Sequence, residues 1–104
     1  MKEKILIIRL SSIGDVVLTT PVIRCVKNQV ENAEIHFVTK QKFASIITPN
    51  PYIEKVHVFN ENLTDLIKAL KKEQFDYVID LHQNFRSNRI KRSLKCTSFS
   101  VDKL

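Results

Sequence analysis

Apolar residues along this chain gather in four short runs, separated by stretches in which they recur every third or fourth position. The runs are Ile5-Leu6-Ile7-Ile8, Ile35-His36-Phe37-Val38, Val56-His57-Val58-Phe59 and Tyr77-Val78-Ile79-Asp80-Leu81. Each is short and rich in β-branched or aromatic side chains, which predicts a strand. The first and fourth are nearly continuous, as expected of central strands covered on both faces. A weaker fifth candidate runs from Thr97 to Val101.

The intervening stretches read as helices. Leu63, Leu66, Ile67 and Leu70 form one apolar stripe at helical spacing, with Asn62 placed to cap it and Asp65 near its positive end. Val22, Ile23, Val26 and Val30 make a similar stripe, and Thr20-Pro21 marks either a kink or a fresh start with proline in the first turn. Phe43 to Ile47 predicts a short helix stopped by Pro49-Asn50-Pro51, and Phe85 to Lys95 a fourth helix. Strands alternating with helices imply parallel pairing through right-handed crossovers. The expected fold is α/β, a doubly wound, Rossmann-like sheet in the order 3-2-1-4-5. Its switch point lies between the first and fourth strands, beyond whose carboxyl ends ligands bind.

With 104 residues the chain is one domain or part of one, and 43% hydrophobic against 27% charged residues is a globular balance. No apolar stretch approaches the length of a membrane span, and the N-terminus lacks the pattern of a secretory signal. Cys25 and Cys96 form no metal-ligand or redox spacing. A reduced, cytoplasmic protein without metal or cofactor is expected. The net charge of +6 is local: residues 1–85 carry a surplus of one positive charge and residues 86–104 a surplus of five. Such a concentration points to an anionic partner at one place.

Two loops meet at the switch point. The first reads Arg9-Leu10-Ser11-Ser12-Ile13-Gly14-Asp15, and Gly14 is the sole glycine of the chain. Glycine here suits a tight turn or a close approach to a ligand. Neither a dinucleotide fingerprint nor a P-loop is present, yet Ser11, Ser12 and the helix-start amides can hold an anionic or hydroxylated ligand. Asp15 has capping-box spacing from Ser12, which by spacing alone favours a capping role; the alternative is a carboxylate in the crevice acting as a general base. In the second loop, Asp80-Leu81-His82-Gln83-Asn84-Phe85-Arg86-Ser87, Asp80 is expected to bond neighbouring loop amides. His82 fits a structural or a ligand-binding role. Arg86, Arg89, Lys91, Arg92 and Lys95 follow without an acid, either as a solvated helix face or as an anion-binding one.

The segment Lys4 to Val16, with Thr19, Thr20 and Pro21 after it, resembles the first strand, serine-glycine-aspartate turn and first helix of the lipopolysaccharide heptosyltransferases. Phe75-Asp76-Tyr77-Val78-Ile79-Asp80-Leu81-His82, followed by Arg86-Ser87, is similar to that family's second recurring block. The resemblance implies an inverting, two-lobed GT-B glycosyltransferase that moves heptose from ADP-heptose to the anionic inner core of lipopolysaccharide. Residues 1–104 would be an incomplete N-terminal, acceptor-binding lobe, inactive alone. The nucleotide-sugar donor would bind only a C-terminal lobe that this sequence lacks. Asp15 would be the catalytic base; Ser11, Ser12, Gly14, His82, Arg86, Arg89 and Arg92 would bind the acceptor. Peripheral contact with the inner membrane and self-association of the lobe are further expectations. The competing class is a small basic module binding nucleic acid or another anion. Against it, no nucleic-acid motif is present and no aromatic residue lies within the basic run. A phosphoryl-accepting receiver domain is disfavoured by Arg9-Leu10 and Phe59-Asn60 where acids are needed.

Overall fold

The computed structural model describes residues 3–10, 20–30, 32–47, 49–59, 62–81, 85–95 and 97–100. Five parallel strands lie in the order β3-β2-β1-β4-β5: β1 Glu3–Ile8, β2 Ala33–Lys40, β3 Ile53–Phe59, β4 Tyr77–Asp80 and β5 Thr97–Ser100. Helix α1 (Thr20–Gln29) joins β1 to β2. A 3₁₀ turn (Gln41–Phe43) and the short α2 (Ala44–Ile47) lead to β3, α3 (Leu63–Glu73) joins β3 to β4, and α4 (Phe85–Leu94) joins β4 to β5. The doubly wound parallel order expected from the sequence is thus present.

Alternation along the strands divides the core into two layers. Ile5 and Ile7 of β1 face the same side as Ile35 and Phe37 of β2, where Ile23 of α1 and Phe43 and Ile47 close over them. Leu6, Ile8, Val38 and Val78 face the other side and meet Leu66, Ile67 and Leu70 of α3 and Ile90 of α4. β1 is therefore buried along Ile5–Ile8 on both faces, which its unbroken apolar run requires.

The fourth run departs from expectation. Val78 and Asp80 are buried but Tyr77 and Ile79 only half so. Register explains this: Tyr77 and Ile79 lie beside Ile5 and Ile7, on the α1–α2 side, and α3 and α4 cover the opposite side. The second fully covered strand is β2, whose residues 35–39 are all buried. At the β3 edge, Glu54 and Lys55 are exposed, charges of the kind that discourage further strand pairing.

Several terminations follow local chemistry. The Asn62 side chain accepts from the Asp65 amide at 3.1 Å, the expected cap of α3. After α2, the Asn50 side chain accepts from the Tyr52 amide at 2.9 Å and turns the chain into β3. Helices α3 and α4 are each followed by a non-glycine residue in the left-handed region, Gln74 at φ 57° and Lys95 at φ 54°. Each costs on the order of 1 kcal/mol relative to glycine.

Asp80 corrects an expectation of the sequence. It is fully buried, and its carboxylate accepts the Ser87 hydroxyl at 2.9 Å and pairs with the Lys91 ammonium at 3.0 Å. Ser87 and Lys91 are four residues apart on α4, so they share one face of that helix. Asp80 therefore bolts α4 to the end of β4 rather than serving only nearby loop amides. Lys91, 17% exposed at its side chain, turns away from the basic face it was grouped with. Replacing Asp80 with alanine leaves the Lys91 charge in a poorly solvated site. We expect a loss of about 3–5 kcal/mol in urea denaturation; a loss below about 1 kcal/mol would mean the pair behaves as a solvated surface bridge.

Candidate functional site

The strand order sets where a ligand can enter. From β1 the chain builds the sheet toward β2 and β3, and from β4 it builds toward β5, so the winding reverses between β1 and β4. The ends of these strands are aligned: Ile8 pairs with Asp80, and the Leu81 amide donates to the Ile8 carbonyl at 3.0 Å. Both loops singled out in the sequence leave from this pair of strand ends. Ser11, Ser12, Gly14 and Asp15 of the first loop, and His82 of the second, lie outside the described residues.

Arg9 holds the floor of this edge. It is 6% exposed, its amide donates to Val38 at 3.1 Å, and its guanidinium donates to the Leu81 carbonyl. One buried cation thus ties β1 to the start of the second loop. Sequence reasoning did not single out Arg9 as a site residue. The available signal was a charge placed directly after four consecutive apolar residues of a central strand.

Arg86, Arg89 and Arg92 are exposed on α4. Arg86 stands in the first turn, and its guanidinium carbon lies 5.4 Å from the centroid of the Phe59 ring at the carboxyl end of β3. This cation–π contact holds the charge over the carboxyl edge while leaving its N–H groups open to an anion. No carboxylate among the described residues pairs with Arg86. A rise of about 1.5 Å per residue carries Arg92 roughly 9 Å further along the helix axis. The basic run is therefore not one surface: Arg86 is at the crevice, Arg89 intermediate, Arg92 remote, and Lys91 turned toward Asp80.

The fold and this edge define a doubly wound, Rossmann-like unit with its crevice at the β1–β4 switch point. A glycosyltransferase of family 9 from Veillonella parvula superimposes with a TM-score of 0.86 at 23% identity, over 94% of this chain and 32% of that one. Escherichia coli heptosyltransferase WaaC with ADP gives 0.83 at 23% identity, over 95% of this chain and 34% of that one. In sequence, lipopolysaccharide heptosyltransferase 1 of Campylobacter coli is 30% identical over 106 residues, covering 96% of this chain. Lipopolysaccharide heptosyltransferase 3 of Escherichia coli is 32% identical over 78 residues, covering 65%. No family model matches. The chain is related over nearly its whole length to the lipopolysaccharide heptosyltransferases, and it spans 31% and 23% of these two relatives. No helix among the described residues is long and apolar enough to cross a membrane.

A second polar cluster, unforeseen from the sequence, lies on the α3 side of the sheet toward its amino edge. His36 of β2 and His57 of β3 are buried, and His36 Nδ1 is 3.0 Å from His57 Nε2. The Glu34 carboxylate contacts His36 Nε2 at 2.7 Å. Glu73, the last residue of α3, holds Lys4 at 3.2 Å and Lys55 at 3.0 Å and stands 4.0 Å from His57 Nε2. Phe75 packs edge-on against both imidazoles. The signal available was a histidine second in each of two apolar runs, positions that strand pairing alone brings together.

This cluster makes the fold sensitive to acid. Burial, reinforced by His36 and Lys55, lowers the His57 pKa from 6.5 to about 4. The hydrogen bond from Lys55, with that from Lys4, lowers Glu73 from 4.5 to about 2 against the opposing effect of burial. Below pH 6.5 the unfolded chain takes up a proton on His57 that the folded chain refuses until about pH 4. Below pH 4.5 the same imbalance begins at Glu73 and lasts to about pH 2. Melting temperature in chelator-containing buffer should therefore fall steadily from pH 6.5 downward, and His57→Gln should flatten the upper part of that fall. An unchanged profile in the variant would show that His57 does not set it.

Proposed function

We propose that this chain is the acceptor-binding lobe of an inverting GT-B glycosyltransferase, one that transfers heptose from ADP-heptose to the lipopolysaccharide inner core. The observation that carries this reading is the 30% identity to a lipopolysaccharide heptosyltransferase along 96% of the chain. The aligned ends of β1 and β4 support it, because both candidate loops leave the sheet there.

In this reading the acceptor hydroxyl attacks the anomeric carbon of the donor sugar from the face opposite the departing ADP. A hydroxyl becomes an adequate nucleophile only as its proton is withdrawn. Asp15 is the base that takes it: an aspartate has an unperturbed pKa of about 3.9 and is ionised near neutrality. Ser11, Ser12, Gly14 and His82 shape the acceptor pocket beside it. Arg86 meets acceptor phosphate or carboxylate through charge-assisted, two-pronged hydrogen bonds. Arg89 adds attraction, and Arg92, lower on the helix, contributes the least. The nucleotide-sugar sits on a second lobe, which fits a lobe spanning about a third of its relatives. Attraction to an anionic glycolipid would bring the lobe to a membrane surface.

Three measurements test this. Asp15→Asn in a two-lobed protein carrying this lobe should lower kcat by about 10²–10⁴-fold while donor binding and stability hold, since asparagine keeps the capping ability of aspartate. Near-normal turnover would leave Asp15 as a capping residue. Arg86→Ala should raise the acceptor KM about tenfold or more, the worth of a hydrogen bond to a charged group, with donor KM little changed; unaltered acceptor kinetics would return α4 to a solvated face. Calorimetry of the 104-residue chain with ADP should show no binding, and micromolar affinity would place the nucleotide site on the wrong lobe.

A further inference from the structure

The polar cluster at the amino edge plays no part in the proposed transfer, yet it occupies core positions that apolar residues could fill. A neutral hydrogen bond contributes only about 1 kcal/mol net, so two facing imidazoles are a costly choice for packing alone. We infer that His36, His57 and Glu73 form a binding site for a borderline divalent cation of the zinc type, which takes the place of the hydrogen bond between the two histidines.

The donor set suits such an ion: two imidazoles and one carboxylate, a combination zinc accepts with an open fourth position. The residues come from three elements, β2, β3 and the end of α3. One ring nitrogen from each histidine and one Glu73 oxygen all lie within 4.8 Å of one another. Bonds of about 2.0–2.1 Å in a tetrahedral arrangement place ligand atoms roughly 3.3–3.4 Å apart. The observed separations of 3.0 Å and 4.0 Å bracket that spacing.

The supporting contacts fit as well. An ionised Glu34 can only accept, so the His36 nitrogen facing it at 2.7 Å carries the hydrogen. A metal-bound histidine ordinarily gives its other N–H to a carboxylate in this manner. His36 Nδ1 then bears the lone pair, and His57 Nε2 donates to it. The ring centroids are 5.2 Å apart with planes 18° from parallel, close to the greatest separation a 3.0 Å nitrogen contact allows. The rings therefore meet edge to edge nearly in one plane, with a single proton between them. Binding requires the other neutral tautomer of His57, with the hydrogen on Nδ1 instead of Nε2, so that both facing nitrogens offer lone pairs, and each ring turns by about 35° to converge on the ion. The hydrogen changes nitrogen on one neutral ring, so no proton is lost overall.

Glu73 already binds cations here. Lys4 engages Oε1 and Lys55 engages Oε2, the oxygen nearest His57. Lys55 is 59% exposed at its side chain and can swing into water. It is the competitor the ion displaces.

The experiment is titration of the metal-free chain with Co²⁺, followed by visible absorption and then by competition with Zn²⁺. Calorimetry in two buffers of different ionisation enthalpy counts the protons. The expected result is one low-symmetry Co²⁺ site per chain with no net release of protons. His57→Gln and Glu73→Gln should abolish it, and Glu34→Gln should weaken it by about 10–100-fold. Lys55→Gln, a surface change, should tighten binding, which no packing role for these residues predicts. Circular dichroism checks that each variant is folded; the Lys55 and Glu34 variants decide the matter if His57→Gln is not. Absence of a Co²⁺ site, equal affinity in Glu73→Gln, or no tightening in Lys55→Gln would overturn the inference and leave the histidines as a hydrogen-bonded core pair.

Discussion

The molecule depends on β1 being paired along both edges and covered on both faces. Ile5, Leu6, Ile7 and Ile8 are each buried, and each has a register partner in β2 on one side and β4 on the other. A strand so placed needs helices above and below, and connections that wind outward in both directions. The switch point, and with it the crevice, follows from this one strand's position.

Charges buried beside that strand have separate duties. Arg9 joins the end of β1 to the second loop through the Leu81 carbonyl, whereas Asp80 joins the end of β4 to helix α4 through Ser87 and Lys91. A buried ion pair of this kind brings little net stability over an apolar pair, but it penalises any other seating of the helix. The seating matters because α4 begins at the carboxyl edge and carries Arg86 in its first turn. The Phe59 contact fixes that guanidinium from the other side. Thus β3, distant in the sheet order from β4, still helps to position a residue on the helix that follows β4.

The polar groups at the crevice and those in the histidine cluster differ in kind. At the carboxyl edge, Arg86 remains exposed, its guanidinium over the Phe59 ring. Toward the amino edge, His36 and His57 are enclosed by Phe75 and bounded by Glu34, Glu73, Lys4 and Lys55. Enclosure suits a small ion or a proton. His57 and Phe59 are two residues apart on one face of β3, so the enclosed cluster and the ring beneath Arg86 share a strand.

Local patterns in the sequence determined the five strands, the helices between them and their parallel winding, because periodicity reports which side of each element must be buried. The Asn62 cap and the proline-bounded turn were legible for the same reason: each involves residues within a few positions of one another. The resemblance to heptosyltransferases was legible from the two motif blocks, and with it the candidate roles of Asp15 and Arg86. Tertiary structure alone decided which charges are consumed internally. Nothing near Asp80 in the chain distinguishes a loop-bonding aspartate from one paired with Lys91, and Lys91 reads as one more member of a basic run. The pairing of His36 with His57 was equally hidden, since their separation of twenty-one residues is closed only when β3 pairs with β2. Long-range pairing of this sort depends on sheet register, which no local periodicity contains.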